Sequence, residues 1–146
     1  MCYHTHMRLI LDTNIFLGAC LGRGAANKLV GMCLEGSFSP LMGAALFAEH
    51  EDVLGREDLF KKAKLDQNER NELFDIYLNH CTWTQIYYGW RPNLRDEGDN
   101  HLIELAVAGN AQYIVTYNLK DFKSMDLQFP EFKIISPEVF LTEVQL

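Results

Sequence analysis

Two rhythms alternate along the chain: short apolar runs of strand length, and stretches with apolar residues every three to four positions. Arg8-Leu9-Ile10-Leu11 is apolar and stops at Asp12-Thr13-Asn14, which predicts a buried strand running into a helix start. Ile15 to Leu21 is apolar at nearly every position and predicts a buried helix. Ala25 to Glu35 places Leu29, Val30, Cys33 and Leu34 on one helical face, with Gly36 as the stop. Ser37 to Met42 reads as a second strand. Ala44 to Leu54 reads as a helix with Leu46, Phe47, His50, Val53 and Leu54 along one side and Glu49 and Asp52 toward the other.

A short charged helix is expected over 56–64 and a longer one from Asp66 to His80, where Asp66 and Glu69 have capping-box spacing. Thr82 to Tyr87 is β-branched and aromatic, hence strand-like. A polar loop, Gly89 to Gly98, precedes a helix from Asp99 to Ala108 closed by Gly109-Asn110. Gln112 to Thr116 and Lys133 to Ile135 are further strands, and Ser136-Pro137-Glu138 reads as cap, first-turn proline and first-turn acid of a last helix. Strands alternating with helices predict an α/β fold: a three-layer α/β/α arrangement around a central, mostly parallel twisted sheet. With no repeat, linker or low-complexity tract, residues 1–146 read as a single domain.

Composition narrows the classes. No apolar run approaches the roughly 20 residues that cross a bilayer, so no membrane partner is expected. The start lacks the profile of a secretory signal, and the four cysteines are widely spaced without a C-x-x-C pair. Reduced core thiols and a cytoplasmic location follow as expectations. The net charge of −7 excludes a general nucleic-acid coating protein, but not an enzyme that meets phosphate through bound cations.

The candidate chemistry sits where strands end. In open parallel sheets ligands bind at the carboxyl ends of the strands, near a switch in strand order. Asp12-Thr13-Asn14 and Thr116-Tyr117-Asn118-Leu119-Lys120-Asp121 both occupy such ends. Each segment reads alone as a helix cap; both together point to a site. Asp96, Glu97 and Asp99 crowd the start of the later helix, and capping accounts for only one of them. Glu49 is either a solvated helix residue or a fifth acid of the same site. Arg56, Lys61, Lys62, Lys64 and Arg70 form a solvated face or a rim that holds a nucleic-acid backbone. Trp83 and Tyr87 are expected to pack in a strand, leaving Tyr88 and Trp90 more open. The absence of an acid at Asn14 removes the D-x-D pattern of haloacid-dehalogenase-like phosphatases.

The order and spacing of Leu9-Ile10-Leu11-Asp12-Thr13-Asn14, Glu49 ahead of Val53-Leu54, Arg95-Asp96-Glu97-Gly98-Asp99-Asn100, and Ile114-Val115-Thr116-Tyr117-Asn118 with Lys120-Asp121-Phe122 resemble the PIN-domain ribonucleases, especially the VapC-like toxins of toxin–antitoxin pairs. The resemblance covers about residues 7–141. It implies a metal-dependent endoribonuclease whose clustered carboxylates hold one or two Mg²⁺ or Mn²⁺ ions. Position by position, Asp12 matches the first-strand aspartate, Glu49 the helix glutamate, Asp99 the aspartate opening the later helix, and Asp96 a neighbouring acid of the subgroup. Many members carry an aspartate where this chain has Asn118. Others have T-x-N-x-x-D-F, which Thr116 to Phe122 fits, making Asp121 the fourth acid. Asn14, Thr116 and Asn118 match supporting positions. The resemblance further implies an RNA substrate, a homodimer, and a small antitoxin that covers the acidic pocket, with an apolar groove expected around Ile15, Leu17, Leu46 and Phe47. The competing reading, motivated by Asn118, is a catalytically silent PIN-like module that binds RNA or protein.

Overall fold

The structure, a computed structural model, describes residues 7–63, 65–86, 100–122 and 132–144, with the backbone alone at Asn100 and Asp121. Strand β1 (Arg8–Leu11) leads into helices α1 (Thr13–Cys20) and α2 (Gly24–Leu34), then β2 (Ser39–Met42) and α3 (Ala44–Leu54). A 3-10 turn (Glu57–Phe60) connects to α4 (Gln67–His80) and β3 (Thr82–Trp83). Helix α5 (Asn100–Gly109), β4 (Tyr113–Val115), a second 3-10 turn (Leu119–Phe122), β5 (Lys133–Ile135) and α6 (Pro137–Glu143) complete the described order.

The five strands form one sheet in the order β3-β2-β1-β4-β5. Every pairing is parallel, with Leu9 opposite Tyr113, Ile10 opposite Ile114 and Leu11 opposite Val115 at the centre. Leu9, Ile10, Leu11, Ile114 and Val115 are each at most 1% exposed, so consecutive residues are buried whichever way they point. A strand buried on both faces must be covered on both faces, which makes this a three-layer α/β/α fold. Helix α5 lies against β1, β2 and β4, and α2 packs against α1, α4 and α6. Phe140 of α6 stands edge-on to Phe38 and Tyr113, closing the core beside β4.

The local signals hold. Asp66 and Glu69 form a reciprocal capping box on α4, Ser136 caps α6 with Pro137 in its first turn, and Gly36 takes the left-handed conformation after α2 at φ +82°. Other boundaries differ. Helix α1 begins at Thr13 rather than Ile15, because Asp12 serves as its cap. The charged helix expected over 56–64 is a single 3-10 turn. β3 ends at Trp83 because it pairs only along Leu41–Met42 at the sheet edge. Trp83 is 54% exposed, its indole tilted against the Phe47 ring with centroids 5.5 Å apart, and is not enclosed by strand packing; Tyr87, Tyr88 and Trp90 lie outside the described residues.

The basic run does not form one solvated face. Lys61 and Lys62 are exposed, whereas Arg70 is buried, donating to Glu57 at 2.8 Å and to the Leu65 carbonyl, with its guanidinium 3.9 Å from the Phe60 ring centroid. The expected apolar groove is absent at two of its four residues. Ile15 and Leu46 are core, while Leu17 and Phe47 are only partly buried. No described helix is long and apolar enough to cross a membrane.

Candidate functional site

The strand order reverses at β1, which has β2 on one side and β4 on the other. Side chains leaving the carboxyl ends of β1 and β4 therefore meet above the sheet. Asp12 and Thr116 are the first residues beyond those ends. The Asp12 N–H donates to the Val115 carbonyl at 3.0 Å and the Thr116 N–H to that of Ile135 at 2.9 Å, which extends the ladder far enough to fix both side chains.

Asp12 is 4% exposed. Its Oδ1 accepts from the Thr13 N–H at 2.7 Å, and its Oδ2 accepts from the Thr116 hydroxyl at 2.8 Å and from Asn14 Nδ2 at 3.4 Å. Thr116 Oγ1 in turn accepts from Asn14 Nδ2 at 3.3 Å and from the Asn118 N–H at 3.0 Å. The same Asn14 side chain accepts from the Tyr117 N–H at 3.2 Å. Burial pushes the Asp12 carboxyl above its ordinary range; the bonds from Thr116 and Thr13 pull it back, and the negative charge of Glu49 raises it again.

Glu49 reaches the same place from α3. The amphipathic pattern explains how: His50, the next residue, points into the core, edge-on to Phe16 at 5.7 Å, and burial lowers its pKa to about 4. Glu49 is left on the cleft side, half-buried. Its Oε1 accepts from the Thr13 hydroxyl at 2.6 Å and its Oε2 lies 3.1 Å from His101 Nε2. The bond from His101 is the largest influence on the Glu49 carboxyl and lowers its pKa, so Glu49 is the ionised acceptor and His101 the donor.

Asp12, Thr13, Asn14, Leu17, Glu49, Asp52, Val53, Arg56, Leu59 and Asn118 line an open cleft of about 410 Å³. Arg56 stands on its wall but is ion-paired with Asp52 one turn back. Of the expected site residues, the structure thus gathers Asp12, Asn14, Glu49, Thr116 and Asn118. Asp121 follows in the second 3-10 turn, with only its backbone described, and Asp96 and Asp99 lie outside the described residues. Among the described residues no group of three or more His, Cys, Asp or Glu side chains stands at metal-ligand range. The donors present nevertheless suit a hard divalent cation: two carboxylates whose like charges oppose each other, with an amide beside them, all offering oxygen. The sequence reading missed His101, whose Nε2 meets Glu49 Oε2 across 52 positions, a contact no local pattern announces.

The sequence matches the PIN domain family over residues 8–120. The chain belongs to that family. No curated protein matches it. Among solved structures, this PIN domain is similar to a chain of VapBC2 from Rickettsia felis, determined bound to a DNA fragment from their promoter. The likeness has a TM-score of 0.54 at 17% identity, over 88% of this chain and 97% of that one, and concerns the fold.

Proposed function

We propose that this PIN domain is a divalent-metal-dependent endoribonuclease and the toxin of a toxin–antitoxin pair. The observation that carries the reading is the buried Asp12 carboxylate, held by Thr116 and Thr13 at the switch point of the sheet and facing Glu49 across an open cleft. A carboxylate buried at 4% exposure is costly unless a cation or hydrogen bonds offset it. Membership of the PIN domain family and the likeness to VapBC2 support the assignment.

In this reading Asp12 and Glu49 bind Mg²⁺ or Mn²⁺ together with Asp96, Asp99 and Asp121. Bound there, a divalent ion would offset the charge of the acids and of a phosphate and would lower the pKa of a water. Thr116 and Asn14 hold Asp12 Oδ2 from two directions and fix the carboxylate in the cleft wall. Thr13 and His101 hold Glu49 from both sides, fixing its height above the sheet. Asn118 presents an amide where many relatives have an acid, leaving Asp121 as the fourth carboxylate. The substrate is RNA, the partner a small antitoxin that blocks the acidic cleft, and the assembly a homodimer in the cytoplasm.

The test is cleavage of labelled single-stranded RNA by the purified protein with Mg²⁺ or Mn²⁺, against EDTA. Wild type should cleave and Asp12→Asn should not. Asp121→Asn should lose most activity, and Asn118→Asp should retain it. RNA binding without metal-dependent cleavage would overturn the nuclease reading in favour of a silent RNA-binding module.

A further inference from the structure

Beside the acid cleft lies a second feature that none of the carboxylates uses. After α1 the chain turns at Gly22, φ +82°, and the Arg23 N–H returns to the Gly18 carbonyl at 2.9 Å, folding Arg23 back over the last turn of α1. Gly18 has no side chain to obstruct it. A Cβ there would stand 3.3 Å from Arg23 Cδ and 3.4 Å from Tyr117 Cε2. Across this bare patch the Arg23 guanidinium reaches the Tyr117 ring, 5.6 Å from its centroid.

Tyr117 is tied to the acid site: its N–H is bonded to Asn14 Oδ1, and Asn14 Nδ2 is bonded to Asp12 and Thr116. Its neighbours along the chain are Thr116, which holds Asp12, and Asn118, which lines the cleft. The ring is half-buried and Arg23 is exposed. Arg56, Arg70 and Lys133 each have a carboxylate partner, but Arg23 has no ion pair among the described residues. Burial raises the Tyr117 phenol above its ordinary value, the negative charge of Glu138 raises it further and Arg23 lowers it, so the ring under the guanidinium stays neutral.

A flat apolar face joined to a guanidinium is the surface that single-stranded nucleic acid takes, base on the ring and phosphate on the cation. We infer that Arg23 and Tyr117 form a nucleotide subsite flanking the acid cleft, stacking one base of a single-stranded RNA and holding its phosphate, so that the next phosphate is delivered to Asp12. The inference rests on the ribonuclease reading for its substrate, but it concerns binding and is tested apart from cleavage.

The experiment uses full-length Asp12→Asn protein in EDTA, titrated into a short fluorescein-labelled single-stranded RNA of mixed sequence and followed by anisotropy. Tyr117→Ala should weaken binding by about five-fold or more, the low end of what loss of a stacking aromatic costs, and Arg23→Ala by a similar factor. Tyr117→Phe should bind like its parent because it keeps the stacking face, and Arg23→Ala should lower the salt slope of binding by about one. Melting curves of each variant verify that folding and packing are intact, and Tyr117→Phe against Tyr117→Ala separates the ring from its hydroxyl. Unchanged affinity in folded Tyr117→Ala and Arg23→Ala overturns the subsite. Cleavage by the otherwise wild-type chain is measured in parallel. Metal-dependent cleavage with affinity indifferent to both substitutions sinks the subsite and leaves the nuclease. Affinity lost in both without any cleavage by the wild type sinks the nuclease and leaves the subsite.

Discussion

The Thr116 hydroxyl donates to Asp12 and accepts from Asn14 and from the Asn118 N–H. A hydroxyl has one proton and two lone pairs, so this one is saturated, and it is fully buried. Thr116→Val keeps the shape and removes all three bonds. It should cost about 1–3 kcal/mol, the penalty for leaving buried polar groups unmet, read from urea denaturation, whereas Thr116→Ser should cost much less. Equal stability of the Val variant and wild type would contradict the arrangement. The buried thiols give a prediction in pH. Burial pushes Cys20 up to about 11, Cys81 up to about 12, and Cys33 higher still, from an ordinary 9.0. Above pH 9 the unfolded chain releases protons that the folded chain keeps, so stability is intact below that pH and declines as pH rises. The slope approaches about 1.4 kcal/mol per pH unit for each thiol ionised only when unfolded. Urea midpoints from pH 8 to 11 check this, and Cys33→Ala should flatten the decline. At this scale Asp12 and Thr116 stood out as candidates because each directly follows an apolar strand, whereas Glu49, in the middle of α3, carries no such local mark. The His101–Glu49 bond was not readable either, since it spans 52 positions and depends on how two helices are set over the sheet.

At the end of α5, Gly109 meets the sheet closely: a Cβ there would stand 2.5 Å from Leu41 Cδ1 and 3.3 Å from Thr84 Oγ1. Leu41 is 1% exposed and has nowhere to retreat. Gly109→Ala should therefore destabilise by about 1–3 kcal/mol despite alanine's better helix propensity, as measured by thermal or urea unfolding. An Ala variant as stable as wild type would show that α5 sits farther from β2. Elements were legible where their signals are local: the Asp66–Glu69 box, the Ser136–Pro137 start and the turn at Gly36 depend on neighbours a few residues away. Where the decision is made across the fold, sequence was a poor guide. β3 is short because it pairs only with Leu41 and Met42, the last two residues of β2. Arg70 was misjudged because a count of charges ignores direction. It shares the buried face of α4 with Phe74 and Tyr77, four and seven residues on, and that period was there to be read.

For the molecule as a whole, the three-layer plan and parallel sheet followed from strand–helix alternation, but the strand order did not, and the order is what brings Asp12 and Thr116 together. Ligand binding to the folded state alone raises its stability, by about 2.7 kcal/mol at a hundred-fold excess over Kd. Mn²⁺ should accordingly raise the melting temperature, EDTA should reverse the rise, and Asp12→Asn should abolish most of it. An equal shift in Asp12→Asn would place the ion elsewhere.

The Asp12–Thr116 bond joins residues 104 positions apart, and β1 lies between strands from opposite halves of the chain. During synthesis the amino-terminal half emerges with its aspartate but without the hydroxyl that orients it or the strand that walls it in. A chain still held on the ribosome short of residue 116 therefore lacks the Asp12–Thr116 bond, and the same holds for fragments that end before it. In the ribonuclease reading proposed above, that delay is a safeguard written into connectivity, because the site is assembled only after Thr116 has emerged.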